Sequence, residues 1–177
     1  SDSITKVLQH PTVSSKSFLI TIGDRTVSGM VARDQFVGPY QVPVSDYSLS
    51  LRSYTSNNGE VLSIGEKPTI ALINPAASMR MALGEALTNM SGVVIKGLNN
   101  VQVSANWMAA SGENSDDFAL RSGVEALSKI AVDLKVSIPV GKDSLSMRTK
   151  WSENNSDYEV SSPCLLYTSP SPRDTSS

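Results

Sequence analysis

An α+β fold, in which a mixed sheet packs against two long helices, is the fold class that this sequence predicts. Alternating apolar residues typical of half-buried strands occur before residue 65, and two long segments with helical periodicity follow. Strands and helices do not alternate regularly as in a βαβ array, and no repeat occurs at solenoid periods. The 177 residues suffice for one domain, or for one domain with a piece of another.

The amino-terminal part of the chain predicts two short strands and an extended loop. The run FLITI at residues 18–22, followed by the turn residues Gly23 and Asp24, predicts a strand, and residues 27–31 predict a second one. Residues 36–43 contain two prolines and a glycine, which exclude a helix and favour an ordered, extended loop.

The remaining predicted strands lie before, between and after the two helical segments. Residues 46–51 alternate apolar and serine side chains, which is the pattern of a half-buried strand. The turn signal NNG at residues 57–59 and the following residues 60–64 complete a predicted hairpin. Residues 101–108 and 138–140 predict further extended segments.

Two long helices are predicted from capping residues and periodicity. The first begins with Asn74 as the N-cap and Pro75 at the first helical position, and it ends at residues 91–92. The second covers residues 116–134, with Ser115 as its N-cap. The apolar core face of the first helix comprises Met79, Leu83, Ala86, Leu87 and Met90, and that of the second comprises Phe118, Leu120, Val124, Leu127, Ile130 and Leu134.

The composition excludes several classes of protein. With 15 Lys and Arg against 17 Asp and Glu, the net charge is −2, so no overall basic field favours nucleic acid as a partner. No apolar run reaches the roughly 18–20 residues that a bilayer span needs, and we expect no membrane partner. The single cysteine cannot form an internal disulfide, which fits a reducing compartment, and we expect a cytoplasmic protein.

Residues 161–177 are rich in Ser and Pro and differ from the rest of the chain. The string CLLYTSPSPRD at residues 164–174 resembles a translated sequencing-library adapter, and a native disordered tail is the alternative. We therefore assign residues 1–163 to the natural protein and residues 164–177 to a non-native disordered tail. On this interpretation the natural reading frame continues past Pro163, and the chain is a fragment.

Glu85 and Asn89 are the first candidate ligands, because they are four residues apart and lie on one face of the first long helix. With Ser78 and Ala82 they form a narrow stripe of small and oxygen-bearing side chains. A carboxylate and an amide oxygen are hard donors that suit Mg²⁺ beside phosphates. A solvated polar pair on the helix surface is the alternative.

Two other polar segments follow predicted extended structure. Asp46 comes directly after VPVS at the start of a strand, where an acid is either aimed at a ligand or caps a turn. The string GKDSLSM at residues 141–147 predicts a loop that combines a cation, an acid and two hydroxyls. A cationic surface loop without a ligand is the alternative for this second segment.

Several long motifs, in order and in one register, resemble a known family. These are VLQHPTVSSKSFLITIGDRTVSGMVARDQFVGPYQVPVSD, then GEALTN, SANWMAA and SIPVGKDSLSM. They are similar to the large, single-chain form of phosphoribosylformylglycinamidine synthase, over about residues 2–163. The resemblance implies an incomplete domain similar to the amino-terminal domain of aminoimidazole ribonucleotide synthetase, within the second of two pseudo-symmetric repeats.

The resemblance also implies roles for residues of this chain. Asp46, Glu85 and Asn89 match magnesium ligands around a bound adenine nucleotide, ATP or ADP. Ser45 matches a residue that touches the nucleotide, and Lys16 matches a phosphate contact. The family further implies that this pocket retains ADP for structural reasons while turnover occurs in the pseudo-symmetric mate.

The segment GKDSLSM resembles a family segment that reaches the catalytic pocket. The resemblance implies that Asp143 contacts a metal ion and that Ser144 or Ser146 contacts the substrate, formylglycinamide ribonucleotide. The family reaction is an ATP-dependent conversion of an amide to an amidine, in which ammonia derived from glutamine displaces phosphate. The first synthetase repeat and the glutaminase domain are missing from this chain, so we expect it to be inactive alone. The alternative is a free-standing nucleotide-binding module without catalysis.

Overall fold

A computed structural model describes residues 2–11, 13–23, 29–112, 114–161 and 165–170 of the chain. The chain divides into two compact units, Ser1–Gly59 and Glu60–Ser177, and each is described by itself. Within the described residues, no helix has both the length and the apolar character that a membrane span needs.

The first unit contains two helices and a pair of strands. Their bounds are α1 at Asp2–Gln9, α2 at Ser17–Thr21, β1 at Val31–Arg33 and β2 at Tyr47–Leu51. Strand β1 pairs with β2 in antiparallel orientation, with a register shift inside β1. Alternate residues of β2 are half-buried and exposed, which confirms the predicted half-buried strand.

The predicted strand at residues 18–22 is wrong, because this run forms α2. A short apolar run fits a helix or a strand equally well by periodicity alone. Here the backbone groups bond locally, as the N–H of Ile22 donates to the carbonyl of Phe18 at 3.3 Å. The predicted turn at Asp24 and the first two residues of the second predicted strand, 27 and 28, lie outside the described residues. Of the remaining residues of that predicted strand, 29–31, only Val31 belongs to a strand, β1.

The loop between β1 and β2 is extended and irregular, as its prolines predict. Phe36 and Val44 form an isolated antiparallel bridge, and the N–H of Val37 donates to the carbonyl of Pro43 at 2.9 Å. Gly38 has a φ of +78°, a conformation that glycine adopts at little steric cost. This arrangement delivers Ser45 and Asp46 to the start of β2.

The second unit contains a three-stranded sheet, a two-stranded hairpin and the two long helices. Strand β3, Gly59–Ser63, begins at the last residue of the first unit. The elements that follow are α3 at Pro68–Ala71, α4 at Pro75–Asn89, β4 at Gln102–Met108, α5 at Asn114–Leu134, β5 at Ser137–Ser144, β6 at Arg148–Glu153, β7 at Ser156–Ser161 and β8 at Leu165–Pro170. Strand β4 lies between β5, to which it is parallel, and β8, to which it is antiparallel.

Helix α4 forms where the sequence predicts it. The side chain of Asn74 accepts a hydrogen bond from the N–H of Ala77 at 2.9 Å, and Pro75 occupies the first turn. Met79 and Leu83 are completely buried, so the predicted core face is confirmed. The helix ends in a short 3₁₀ turn at Met90–Gly92.

Helices α4 and α5 pack together and form the core with β4. Leu127 of α5 and Val103 of β4 are almost completely buried in the same cluster as Met79. A Cβ on Gly123 would lie 2.9 Å from the side chain of Met79, so glycine lets the helices approach. Because β4 and β5 are parallel and α5 connects them, the α+β unit contains one βαβ crossover that the sequence did not predict.

Two details of α5 differ from the prediction. The helix begins at Asn114, so Ser115 lies in its first turn and is not the residue before the helix. Phe118 and Val124 are predicted on the core face but are 73% and 37% exposed. Phe118 lies close to the amino-terminal end of the helix, whereas Leu127, nearer the middle, faces the core.

The segment GKDSLSM is not the loop that its composition predicts. Residues 141–144 belong to β5, where Gly141 pairs with Ala105 and Ser144 pairs with Met108 of β4. Pairing with a central strand extends β5 beyond the apolar residues that signalled it. Only residues 145–147 connect β5 to the hairpin of β6 and β7.

The end of the described chain also differs from the prediction. Leu165–Pro170 forms β8 against β4, whereas the composition predicts a disordered tail. The pairing uses backbone groups, and an unpaired strand edge accepts an extended segment of many sequences. The adapter interpretation of residues 164–177 therefore stays a prediction, and residues 162–164 and 171–177 lie outside the described residues.

Candidate functional site

The face of α4 that carries Glu85 and Asn89 is covered by the segment of residues 63–67, which follows β3. Ser63 donates its hydroxyl to the carbonyl of Ala86 at 2.6 Å. Asn89 donates from Nδ2 to the carbonyl of Ile64 at 2.9 Å. At the other end of the segment, the carbonyl of Lys67 accepts a hydrogen bond of 2.6 Å from Oγ of Ser78.

Gly65 explains why this face of α4 is built from small residues. A Cβ at Gly65 would lie 2.1 Å from the carbonyl oxygen of Ala82 and 2.6 Å from the backbone nitrogen of Ala86. The segment therefore lies directly on the helix backbone, which only glycine and small neighbours allow. The small residues of the predicted stripe pack against residues 63–67, and its oxygen-bearing residues hold that segment in place.

Glu85 is held in one orientation by two donors. Its Oε2 accepts a hydrogen bond from the N–H of Glu66 at 2.8 Å, and its Oε1 forms an ion pair with Nζ of Lys67. Both side chains of the pair are about 30% exposed. The carboxylate is thus partly shielded from solvent and preorganised, so the alternative of a solvated surface pair does not describe Glu85.

Asn89 presents an acceptor on the same face. Its Nδ2 donates to the carbonyl of Ile64, and this hydrogen bond fixes the orientation of the amide. The other polar atom of the side chain, Oδ1, has no hydrogen bond to a described residue. An amide oxygen and a carboxylate one helical turn apart fit Mg²⁺, since this ion takes one or two carboxylates from a protein and keeps several waters. Among the residues that the structure describes, no three His, Cys, Asp or Glu side chains form a metal-binding group.

The predicted substrate segment occupies the carboxyl end of β5. Asp143 is exposed, and Ser144 is half-buried with its Oγ 3.4 Å from Nζ of Lys142. Ser146 is exposed and forms an isolated bridge with Ala110. No described hydrogen bond or ion pair connects these residues to α4, so the structure does not bring them together with Glu85.

In the first unit, the predicted ligands lie near the start of β2 and before α2. Ser45 is half-buried, and its hydroxyl donates to the carbonyl of Tyr47 at 2.8 Å. Asp46 is exposed, and its carboxylate has no hydrogen bond or ion pair with another described residue. Lys16 is exposed, and its ammonium donates to the carbonyl of Ser14. Asp46 therefore does not cap a turn within the described part of the chain.

Lys67 is the polar residue at this site that sequence reasoning missed. It pairs with Glu85, which is 18 residues away along the chain. The available signal was the string SIGEKP at residues 63–68, in which a glycine and two charged residues directly follow a strand. Without the fold, nothing indicates that this string lies along α4.

Sheets combined with two packed helices are the features of a PurM amino-terminal-like domain. The family model described as FGAR-AT PurM_N-like domain matches residues 15–171. The chain belongs to this family. The match covers the candidate residues of both units, including Lys16 near its start.

Solved structures share the fold. PurLQS from Thermotoga maritima is 15% identical over 71% of this chain and 20% of that chain, with a TM-score of 0.53. A T. maritima PurL complexed with ADP is also 15% identical, over 71% of this chain and 20% of that chain, with a TM-score of 0.51. These matches confirm the predicted fold class. The chain spans about one fifth of the length of these structures.

Proposed function

We propose that this chain is a nucleotide-binding part of phosphoribosylformylglycinamidine synthase in its large, single-chain form, a cytoplasmic enzyme of purine biosynthesis. That enzyme is a carbon–nitrogen ligase that uses ATP and glutamine-derived ammonia to convert formylglycinamide ribonucleotide to formylglycinamidine ribonucleotide. The observation that carries the proposal is the carboxylate and amide oxygen of Glu85 and Asn89, held on one face of α4 within a chain of the FGAR-AT family.

Each predicted ligand keeps its role as part of this proposal. The residues proposed to contact magnesium are Asp46, Glu85, Asn89 and Asp143, those proposed to contact the adenine nucleotide are Ser45 and Lys16, and those proposed to contact substrate are Ser144 and Ser146. The ADP complex of T. maritima PurL supports a nucleotide as the ligand. The exposed, unpaired carboxylate of Asp46 supports its assignment, because an acid without a partner in the described chain is free to bind a cation.

Magnesium bound at this site would neutralise phosphate charge, which is its general role with nucleotides. The contribution of the chain is orientation. The N–H of Glu66 fixes one oxygen of Glu85, and the carbonyl of Ile64 fixes the amide of Asn89 so that Oδ1 is its remaining polar atom. Neither ligand then loses much side-chain entropy when it binds a cation.

The proposal is tested by isothermal titration of the chain with ADP in the presence and absence of Mg²⁺. We expect binding that depends on Mg²⁺, and at least a tenfold loss of affinity in the Asp46→Asn variant, because a metal ligand loses its charge. Asp46 is exposed and has no hydrogen bond or ion pair with another described residue, so we expect this variant to keep the fold. Asp133→Asn, which removes one exposed carboxylate from α5, is the matched control and should bind normally.

Catalysis requires the parts that this chain does not contain. With formylglycinamide ribonucleotide, glutamine and ATP, we expect the chain to bind nucleotide without releasing phosphate, as measured by a coupled phosphate assay. Steady phosphate release by the chain would contradict the assignment of turnover to the rest of the enzyme. Mg²⁺-independent binding of ADP, or equal affinities of the Asp46→Asn and control variants, would contradict the site itself.

A further inference from the structure

Lys67 is placed against the carboxylate that is proposed to bind metal. Its backbone carbonyl is held by Ser78 of α4, and the next residue, Pro68, begins α3. The backbone of Lys67 is therefore held in place, while its ammonium reaches the carboxylate of Glu85. The pair is half-buried, so the charges interact in a medium less polar than bulk water.

A cation that pairs with Glu85 competes with any metal ion for the same oxygens. Glu85 has one further donor, the N–H of Glu66, and without Lys67 its charge would be only partly compensated. A magnesium ion and an ammonium group repel each other at short range, so they cannot both contact Oε1 of Glu85 at the same time. The ammonium of a lysine can move away from the carboxylate while the backbone stays in place, because the four-carbon side chain is flexible.

Resting on the function proposed above, we propose that Lys67 is the exchangeable counter-ion of this site. In the metal-free chain it pairs with Glu85. When a divalent cation binds Glu85, the ammonium is displaced and pairs instead with the phosphate oxygens of the nucleotide that enters with the metal. Lys67 thus opposes the binding of a metal ion alone and favours the binding of a metal–nucleotide complex.

The two halves of this proposal predict effects of opposite sign for Lys67→Met. The affinity for Mn²⁺ alone, measured by electron paramagnetic resonance of the free ion, should rise roughly three- to tenfold, since a half-buried pair is worth more than an exposed one. The affinity for ADP at saturating Mg²⁺ should fall by a similar factor. A residue that only supported the local fold would not increase metal affinity.

Two further variants keep the test decisive. Lys67→Arg retains the charge, and an arginine can donate two parallel hydrogen bonds to a carboxylate. Because this pair is harder to displace, the affinity of the Lys67→Arg variant for Mn²⁺ should fall below that of the unmodified chain. Lys129→Met removes one exposed cation from α5 and is the charge-matched control, with both affinities unchanged. If Lys67→Met does not fold, Lys67→Arg and Lys67→Gln carry the same test.

The outcomes separate this inference from the function on which it rests. If the unmodified chain binds Mn²⁺ and Lys67→Met binds it equally or more weakly, the counter-ion role is overturned while the metal site stands. An unchanged affinity of Lys67→Met for ADP overturns the transfer to phosphate. If neither chain binds Mn²⁺, the metal site and the counter-ion role are both overturned.

Discussion

Gly65 allows the segment after β3 to lie against α4. Any side chain there would meet the carbonyl oxygen of Ala82, and this oxygen belongs to the helix backbone and cannot rotate away. Ser63, on one side of Gly65, donates to Ala86, and Glu66, on the other side, donates to Glu85. The close approach of Gly65 to α4 therefore determines whether the N–H of Glu66 can donate to the carboxylate of Glu85.

We expect Gly65→Ala to destabilise the chain by about 1–3 kcal/mol, the usual cost of overpacking a close contact. The added methyl would have to push residues 63–67 away from α4, which would also break the hydrogen bonds of that segment. The free energy of unfolding in urea measures the effect.

Gly84→Ala is the matched control, because Gly84 lies within α4 and nothing comes within 4 Å of a Cβ built there. Replacing a helical glycine by alanine stabilises a protein by about 0.5–1 kcal/mol. Equal losses of stability in the two variants would show that the close approach at Gly65 is not the cause.

Individual site residues could be found from the sequence only when local spacing revealed them. Glu85 and Asn89 share a helix face at a separation of four, so their proximity followed from helix geometry. Lys67 could not be found in this way, because its contact with Glu85 depends on how the chain turns between β3 and α4. Spacing predicts neighbours within one element and not between elements.

Among the elements, those with their own start and stop signals were predicted well. Asn74 and Pro75 define the start of α4 by local hydrogen bonding, and the structure confirms both. The run FLITI has no such signal, and it became α2 where a strand was expected. The hairpin of β6 and β7 had a signal that was overlooked, since Asn154 and Asn155 both adopt the positive φ of a type I′ turn.

The same hairpin has a measurable dependence on pH. Glu159 of β7 accepts hydrogen bonds from Lys150 and Arg148 of β6, and these contacts lower the pKa of its carboxyl. A lowered pKa in the folded state adds stability above the unfolded value of about 4.3, and this stability is lost as pH falls through the folded pKa. In a nuclear magnetic resonance experiment, we expect the carboxyl carbon of Glu159 to titrate at a lower pH than that of an unpaired glutamate.

Lys150→Met provides the control for this prediction, because it removes the larger of the two causes and should raise the pKa of Glu159 toward its ordinary value. Since the group is on the surface, added salt should reduce the difference between the variants. A titration midpoint that does not change in Lys150→Met would show that the ion pair does not form in solution.

At the scale of the molecule, the order of strands is the property that the sequence could not provide. Strand β4 pairs with β5, which follows it after α5, and with β8, which comes more than 50 residues later. Alternating apolar residues identify a strand but not its neighbours, because pairing uses backbone groups that every strand has. Periodicity and the order of the elements were enough to predict an α+β fold class, but they could not give the order of the strands in a sheet.

The surface of the second unit predicts self-association of the isolated chain. Single exposed apolar residues are ordinary, but Leu72 and Ile73 are adjacent and are 73% and 84% exposed. Val94 is also fully exposed in the same unit. Burying apolar surface contributes about 25 cal/mol per Å², so such residues favour contact between copies when no other domain covers them.

We expect sedimentation velocity to show association that increases with protein concentration and is reduced in the double variant Leu72→Ser/Ile73→Ser. Neither side chain belongs to the core cluster, so the free energy of unfolding should change by less than about 0.5 kcal/mol. A single monomeric species at all concentrations, with a sharp and reversible melt, would mean that these residues are tolerated as an ordinary surface. Equal association in the unmodified chain and the double variant would place the contact elsewhere.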